Sequence, residues 1–130
     1  MKRLLFILQF VTFCHVLPYQ AKGTHYIATY KQCNDSLTDG TWTYVYFIIG
    51  IINSGATIMS HNLEHFSNNG ITGTAVLAES HASIHTYPEH KTCFVDLFTC
   101  GDNCDWREFE DAMVKWIKPK EIQRKVMVRE

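Results

Sequence analysis

The chain has 130 residues, 46% of them apolar and 19% charged, with 12 Lys and Arg against 13 Asp and Glu. This composition excludes a disordered or collagen-like polymer, and the length suits one domain able to bury a core. A formal charge of -1 provides no basic field for a phosphate backbone, so nucleic acid is set aside as a partner.

Lys2 and Arg3 precede an apolar run from Leu4 to Cys14, which is similar to the n-region and h-region of a signal peptide. The sequence after it suits cleavage poorly. A cut after Ala21 leaves Tyr19 where a small residue is wanted, and the run is short for a membrane span. An apolar extension over residues 1–22, or a start site set too far upstream, stands beside the signal reading. The five cysteines, Cys14, Cys33, Cys93, Cys100 and Cys104, are odd in number and irregularly spaced. That pattern speaks for reduced thiols and a cytoplasmic protein rather than a secreted disulfide framework.

Residues 23–31, GTHYIATYK, are β-rich and predict a first strand. In the loop after it, Asp35, Ser36 and Asp39 all offer N-cap oxygens. Residues 41–53 are strongly apolar, and Val45, Ile48, Ile49 and Ile52 fit one helical face, with a buried strand as the alternative. Ser54-Gly55 ends that segment. Strands follow at 57–66, at 72–78 after the turn Asn68-Asn69-Gly70, and at 81–87 up to Pro88. In the last of these, His81, Ser83 and His85 share one face and Ala82, Ile84 and Thr86 the other. A fifth strand covers 92–99. Asp105 can cap a helix from Trp106 to about Ile117, with Phe109, Ala112, Met113, Trp116 and Ile117 along one stripe and Pro119 as its stop. Residues 122–128 read as a last strand at an edge, guarded by Arg124 and Lys125. The order β-α-β-β-β-β-α-β predicts an α+β two-layer sandwich over residues 23–130: an antiparallel sheet with two helices on one face.

Reactive side chains crowd into residues 79–104, where Glu79, Ser80, His81, His85, Glu89, Cys93, Cys100 and Cys104 lie. Zinc is one reading of the Cys100/Cys104 and His81/His85 spacings. In a strand, residues four apart lie about 13 Å from each other, too far to share an ion, and no metal site is assigned. A nucleophile with a histidine base is another. Strand alternation makes His81 a poor base for its neighbour Ser80, whereas His85 and Cys100 could meet across paired strands.

A third reading comes from a longer pattern. LAESHASIHTYPE, Leu77 to Glu89, followed by DLFTCGD, Asp96 to Asp102, closely resembles the prokaryotic S-adenosylmethionine decarboxylase proenzymes. SGAT from Ser54, HF at His65-Phe66, GITG from Gly70 and GTHYIATYKQC from Gly23 extend the resemblance over about residues 23–128. It implies a chain that cuts itself between Glu79 and Ser80 into a β chain, 1–79, and an α chain, 80–130. The Ser80 hydroxyl attacks the Glu79 carbonyl, a base removes the Ser80 α-proton, and β-elimination and hydrolysis leave a pyruvoyl cofactor on the former Ser80. A strained turn before Ser80 is expected to help the first step. By the same resemblance His85 takes part in the proton abstraction, Thr72 supports the carbonyl, and Cys100 is the catalytic thiol that protonates the substrate carbanion.

For substrate binding the resemblance implies that Phe66 stacks on adenine and that Glu89 accepts from the ribose hydroxyls. It implies a homodimer of processed α/β pairs, sheets packed face to face in four α/β/β/α layers, with the site between subunits. The product it implies is decarboxylated S-adenosylmethionine, the aminopropyl donor for spermidine. Three features depart from the pattern, one of them the N-terminal extension together with the unusually apolar segment 41–53, where relatives have a charged, amphipathic helix. Thr29 stands where relatives commonly carry an acidic residue, and Tyr87 where tryptophan is commoner. A pyruvoyl-dependent decarboxylase of ornithine or arginine on the same scaffold, and an unprocessed non-catalytic subunit, are the alternatives.

Overall fold

The computed structural model describes residues 21–130, so the apolar N-terminal segment weighed above lies outside the described residues. Six strands form one antiparallel sheet: β1 (Gly23–Lys31), β2 (Ile58–His65), β3 (Ile71–Leu77), β4 (Ser80–Tyr87), β5 (Thr92–Cys100) and β6 (Glu121–Arg129). Their order across the sheet is β2-β3-β4-β5-β1-β6. Two helices, α1 (Gly40–Asn53) and α2 (Trp106–Ile117), pack on one face. The other face carries no element of the described chain. Among the described residues, no helix is long and apolar enough to cross a membrane.

Local chemistry sets the helix ends. The Asp39 carboxylate accepts from the Trp42 amide at 3.0 Å at the start of α1. Asp105 does the same for Arg107 at 2.9 Å at the start of α2, satisfying donors that the helix itself cannot. α1 ends at Ser54, and Gly55 follows at φ +90°, where a side chain would be strained.

The sheet's covered face presents Tyr26, Ala28 and Tyr30 from β1, Ala75 and Leu77 from β3, Ala82 and Ile84 from β4, and Val95 and Leu97 from β5, all buried. Phe109, Met113 and Ile117 of α2 close over them. α1 departs from expectation. It buries Tyr44, Phe47 and Ile51, with Thr43 and Gly50 beside them. Ile49 and Ile52, which share with Val45 and Ile48 the one helical face read from the sequence, are 37% and 59% exposed. Gly50 explains the rotation: a Cβ there would lie 3.0 Å from Phe109, so this face alone allows close approach of the two helices. Gly73 plays the matching part on β3, where a Cβ would meet the Tyr44 ring at 2.5 Å.

A polar chain, buried at its two tyrosines and exposed at Arg124, ties β1 to α2 and β6. The Tyr30 and Tyr26 hydroxyls are 2.7 Å apart, and Tyr26 donates to Glu110 at 2.7 Å. Arg124 holds the same carboxylate through two bonds of 2.7 Å. Burial pushes both phenols far above their ordinary pKa, so both stay protonated donors. Glu110→Ala leaves the Tyr26 hydroxyl with Tyr30 but without its carboxylate acceptor, and the variant should lose about 2 kcal/mol of unfolding free energy. The expected readout is a lower urea midpoint at unchanged slope; an unshifted midpoint would mean the chain carries no net stability.

Candidate active site

The β3–β4 hairpin turns on two residues, Ala78 and Glu79. Thr57 clamps it from both sides: its carbonyl accepts from the Ala78 amide and its amide donates to the Glu79 side chain, each at 2.9 Å. The Glu79 backbone carbonyl accepts from the Cys100 amide at 2.8 Å. Ser80 then enters β4 at φ +153°, a conformation ordinarily left to glycine. The strained turn expected before Ser80 is therefore present, and the carbonyl that precedes the serine is polarised by a neighbouring strand.

This backbone twist corrects one expectation. Neighbours in a regular strand point to opposite faces, but the Ser80 hydroxyl lies 3.1 Å from Nδ1 of His81. Behind His81 stands a group that sequence reasoning did not assemble. His81 Nε2 is 3.6 Å from Asp96 Oδ2. The same oxygen accepts from His25 Nε2 at 2.8 Å, and the other Asp96 oxygen accepts from Ser83. Strand pairing assembles the group: Ser83 and Asp96 are opposite each other, and His25 and His81 both face Phe98. Among the described residues, His25, His81 and Asp96 are the group of His, Cys, Asp or Glu side chains close enough for chelation, their ligand atoms within 4.8 Å of one another. The Cys100/Cys104 and His81/His85 pairs weighed for zinc do not form such a group.

Cys100 ends β5 on the same open face, in a hollow of about 350 Å³ shared with Lys22, Gly23, Phe98 and Arg129. The other thiols differ. Burial pushes Cys33 up to about 11, holds Cys93 well above the ordinary thiol range, and raises Cys104 beside Glu79. Cys33 and Cys93 are packed in the core, whereas Cys100 is partly open.

A second cluster occupies the far end of the open face. His85 Nδ1 is 2.5 Å from the Thr72 hydroxyl. Phe66 and Tyr87 meet the His85 ring edge to face at 6.2 and 4.6 Å between centroids. A hollow of about 380 Å³ lies between Phe66, Ser67, Asn68, His85 and Tyr87. Glu89 reaches its rim through Asn68, whose amide donates to both carboxylate oxygens at 3.2 and 3.3 Å. Thr29 belongs to this end as well, paired with Phe94, which in turn pairs with His85.

The two clusters do not meet within one chain. His85 stands opposite Phe94, not Cys100, so the cross-strand contact considered for those two is absent. Ser80 and His85 are five residue steps apart along extended β4, roughly 16 Å. Thr72 and His85 thus lie far from the Glu79 carbonyl of their own chain.

Residues 24–130 match the family model described as S-adenosylmethionine decarboxylase. A relative from a Hydrogenobaculum species is 37% identical over 108 residues, covering 82% of this chain and 81% of the relative. One from Thermotoga maritima is 34% identical over 102 residues, covering 77% and 78%. One from Methanococcus maripaludis is 36% identical over 101 residues, covering 77% and 83%. All three are named S-adenosylmethionine decarboxylase proenzyme. The crystal structure of the adenosylmethionine decarboxylase from Aquifex aeolicus superposes with a TM-score of 0.73 at 30% identity, covering 81% of this chain and 88% of that one. With the sheet, the hairpin and the motif in agreement, the chain belongs to the S-adenosylmethionine decarboxylase family.

Proposed function

We propose that this chain is a cytoplasmic, self-cleaving decarboxylase of S-adenosylmethionine that carries a pyruvoyl group made from Ser80. The observation that carries the reading is the cut-site geometry: Ser80 at φ +153° directly after a carbonyl held by the Cys100 amide. These residues fit the group. A hydroxyl stands next to the carbonyl it must attack, the carbonyl has an amide donor for its developing charge, and the backbone is already bent away from a relaxed strand. The family's proenzyme names support a cut before activity. The family model supports S-adenosylmethionine over ornithine or arginine.

In processing, the Ser80 oxygen takes the Glu79 acyl group from the Ser80 nitrogen. A base then removes the Ser80 α-proton and the Glu79 carboxylate departs. Bonded to the substrate amine, the finished pyruvoyl group supplies an electron sink for the electrons left by carbon dioxide. Cys100, partly open on the same face, delivers a proton to the substrate carbon from which carbon dioxide departed. Phe66 offers an aromatic face to adenine, and Glu89 offers two acceptor oxygens to the ribose hydroxyls.

The distance between the clusters supports a site built from two copies. A base about 16 Å away cannot reach the Ser80 α-proton. Two sheets packed open face to open face about a two-fold axis would bring Thr72 and His85 of one copy to Ser80 and Cys100 of the other, twice over. The open face offers apolar surface for this at Ile27, Phe94 and Met127, which are 38%, 43% and 37% exposed. The dimer would then have the four-layer order α/β/β/α.

Intact-mass spectrometry of the reduced protein should find chains 1–79 and 80–130, the second with a ketone in place of its terminal amine. Ser80→Ala should stay whole; a normal cut in that variant would put the cleavage site elsewhere. Cys100→Ala should lower carbon dioxide release from S-adenosylmethionine by roughly 10²-fold or more, and turnover equal to the wild type would remove Cys100 as the acid. Co-expression tests the shared site. Chains carrying His85→Ala should be cut only in company with Ser80→Ala chains, which lend them an intact His85. If the mixture stays uncut, the composite site is wrong.

A further inference from the structure

Resting on the reading that Ser80 is the cleavage serine, we propose that His81 is the base for the first processing step and that Asp96 is its positioning residue. The reacting hydroxyl touches one histidine of its own chain, His81, at 3.1 Å from Nδ1. The other imidazole nitrogen, Nε2, faces Asp96 at 3.6 Å. Asp96 is fixed on its far side by His25 at 2.8 Å and by the Ser83 hydroxyl. At 3.6 Å the carboxylate acts on His81 by charge rather than by a hydrogen bond, and that charge favours the tautomer with the proton on Nε2, which leaves Nδ1 free to take a proton from Ser80. His85 is set apart from this step in its own chain, because its Nδ1 is engaged by Thr72 at the far end of β4.

The step balances within these groups. The Ser80 oxygen bonds to the Glu79 carbonyl carbon while its proton passes to His81 Nδ1. The developing charge on the carbonyl oxygen faces the Cys100 amide, 2.8 Å away. The carbon–nitrogen bond then breaks and His81 returns the proton to the Ser80 nitrogen. Amide has become ester with no net gain or loss of proton or electron. As His81 becomes imidazolium, its attraction to Asp96 strengthens, which is the triad logic applied to an intramolecular acyl transfer. This divides the labour between two histidines: His81 forms the ester, and His85 acts in the elimination that consumes it.

Hydroxylamine separates the two steps because it cleaves esters and leaves amides intact. Purified wild type, His81→Ala, His81→Asn, Asp96→Asn and His85→Ala would be followed by intact mass with and without it. Both His81 variants should process roughly 10²- to 10⁴-fold more slowly and stay whole in hydroxylamine, having made no ester. His85→Ala should release residues 1–79 in hydroxylamine. Added imidazole should speed His81→Ala, where it can occupy the vacated space, and leave Asp96→Asn slow, where His81 still fills it. His81 is 50% exposed, so its replacement leaves the core intact, and His81→Asn keeps a hydrogen-bond partner for Ser80 while removing the base. Cleavage of His81→Ala at the wild-type rate, or build-up of hydroxylamine-sensitive ester in it, would overturn the proposal while leaving self-cleavage at Ser80 in place. A wild-type chain that never cuts would instead defeat the cleavage reading itself.

Discussion

The register of β4 against β5 governs the open face. Ser80 stands opposite Thr99, Ser83 opposite Asp96 and His85 opposite Phe94. Because side chains alternate with a period of two, this one alignment sends Ala82, Ile84, Val95 and Leu97 into the core and leaves His81, Ser83, His85, Asp96, Phe98 and Cys100 on the uncovered side. A slip of one residue would bury the imidazoles and expose the aliphatic groups. The cost of that exchange holds the register, and the register in turn brings Asp96 to Ser83 and the Cys100 amide to the Glu79 carbonyl.

Most of the architecture is legible in the chain because each strand advertises itself by alternation and each boundary by a turn residue or a cap. Asp39 and Asp105 cap the helices they precede, and the strands fall within about two residues of their sequence bounds. The face of α1 is not legible in the same way. A helix apolar on nearly every side has no single stripe for periodicity to find, and the decision passes to Gly50 and its fit against Phe109. The Ser80–His81 contact is hidden for a different reason. Nothing in a serine announces a positive φ, so alternation assigns the two side chains to opposite faces until the hairpin overrides it. The pairing of His25 with Asp96 spans 71 residues and emerges only from the order of strands across the sheet.

The hairpin joins rigidity to strain. A residue held at such a φ costs of order 1–3 kcal/mol and relaxes unless its surroundings hold it. Thr57 grips the turn through two hydrogen bonds, and β3 and β5 flank β4 along its length. The Tyr30–Tyr26–Glu110–Arg124 chain stiffens the opposite side of the sheet. The molecule thus keeps the backbone at Ser80 poorly relaxed inside a well-satisfied frame: among the described residues no buried side-chain nitrogen or oxygen lacks a hydrogen-bond partner.

The strand order has a consequence for what a break at Glu79–Ser80 would leave behind. β1, β2 and β3 lie before that bond, and β4, β5 and β6 after it. In the sheet they are not sorted by fragment, because β1 is threaded between β5 and β6. The two pieces would therefore be clasped rather than stacked, joined through β3–β4, β1–β5 and β1–β6 and through α1 resting on α2. Parting them would require the whole sheet to open at once. The fold can thus spend a covalent bond in its middle and keep its shape, with the new chain end anchored at the head of a central strand.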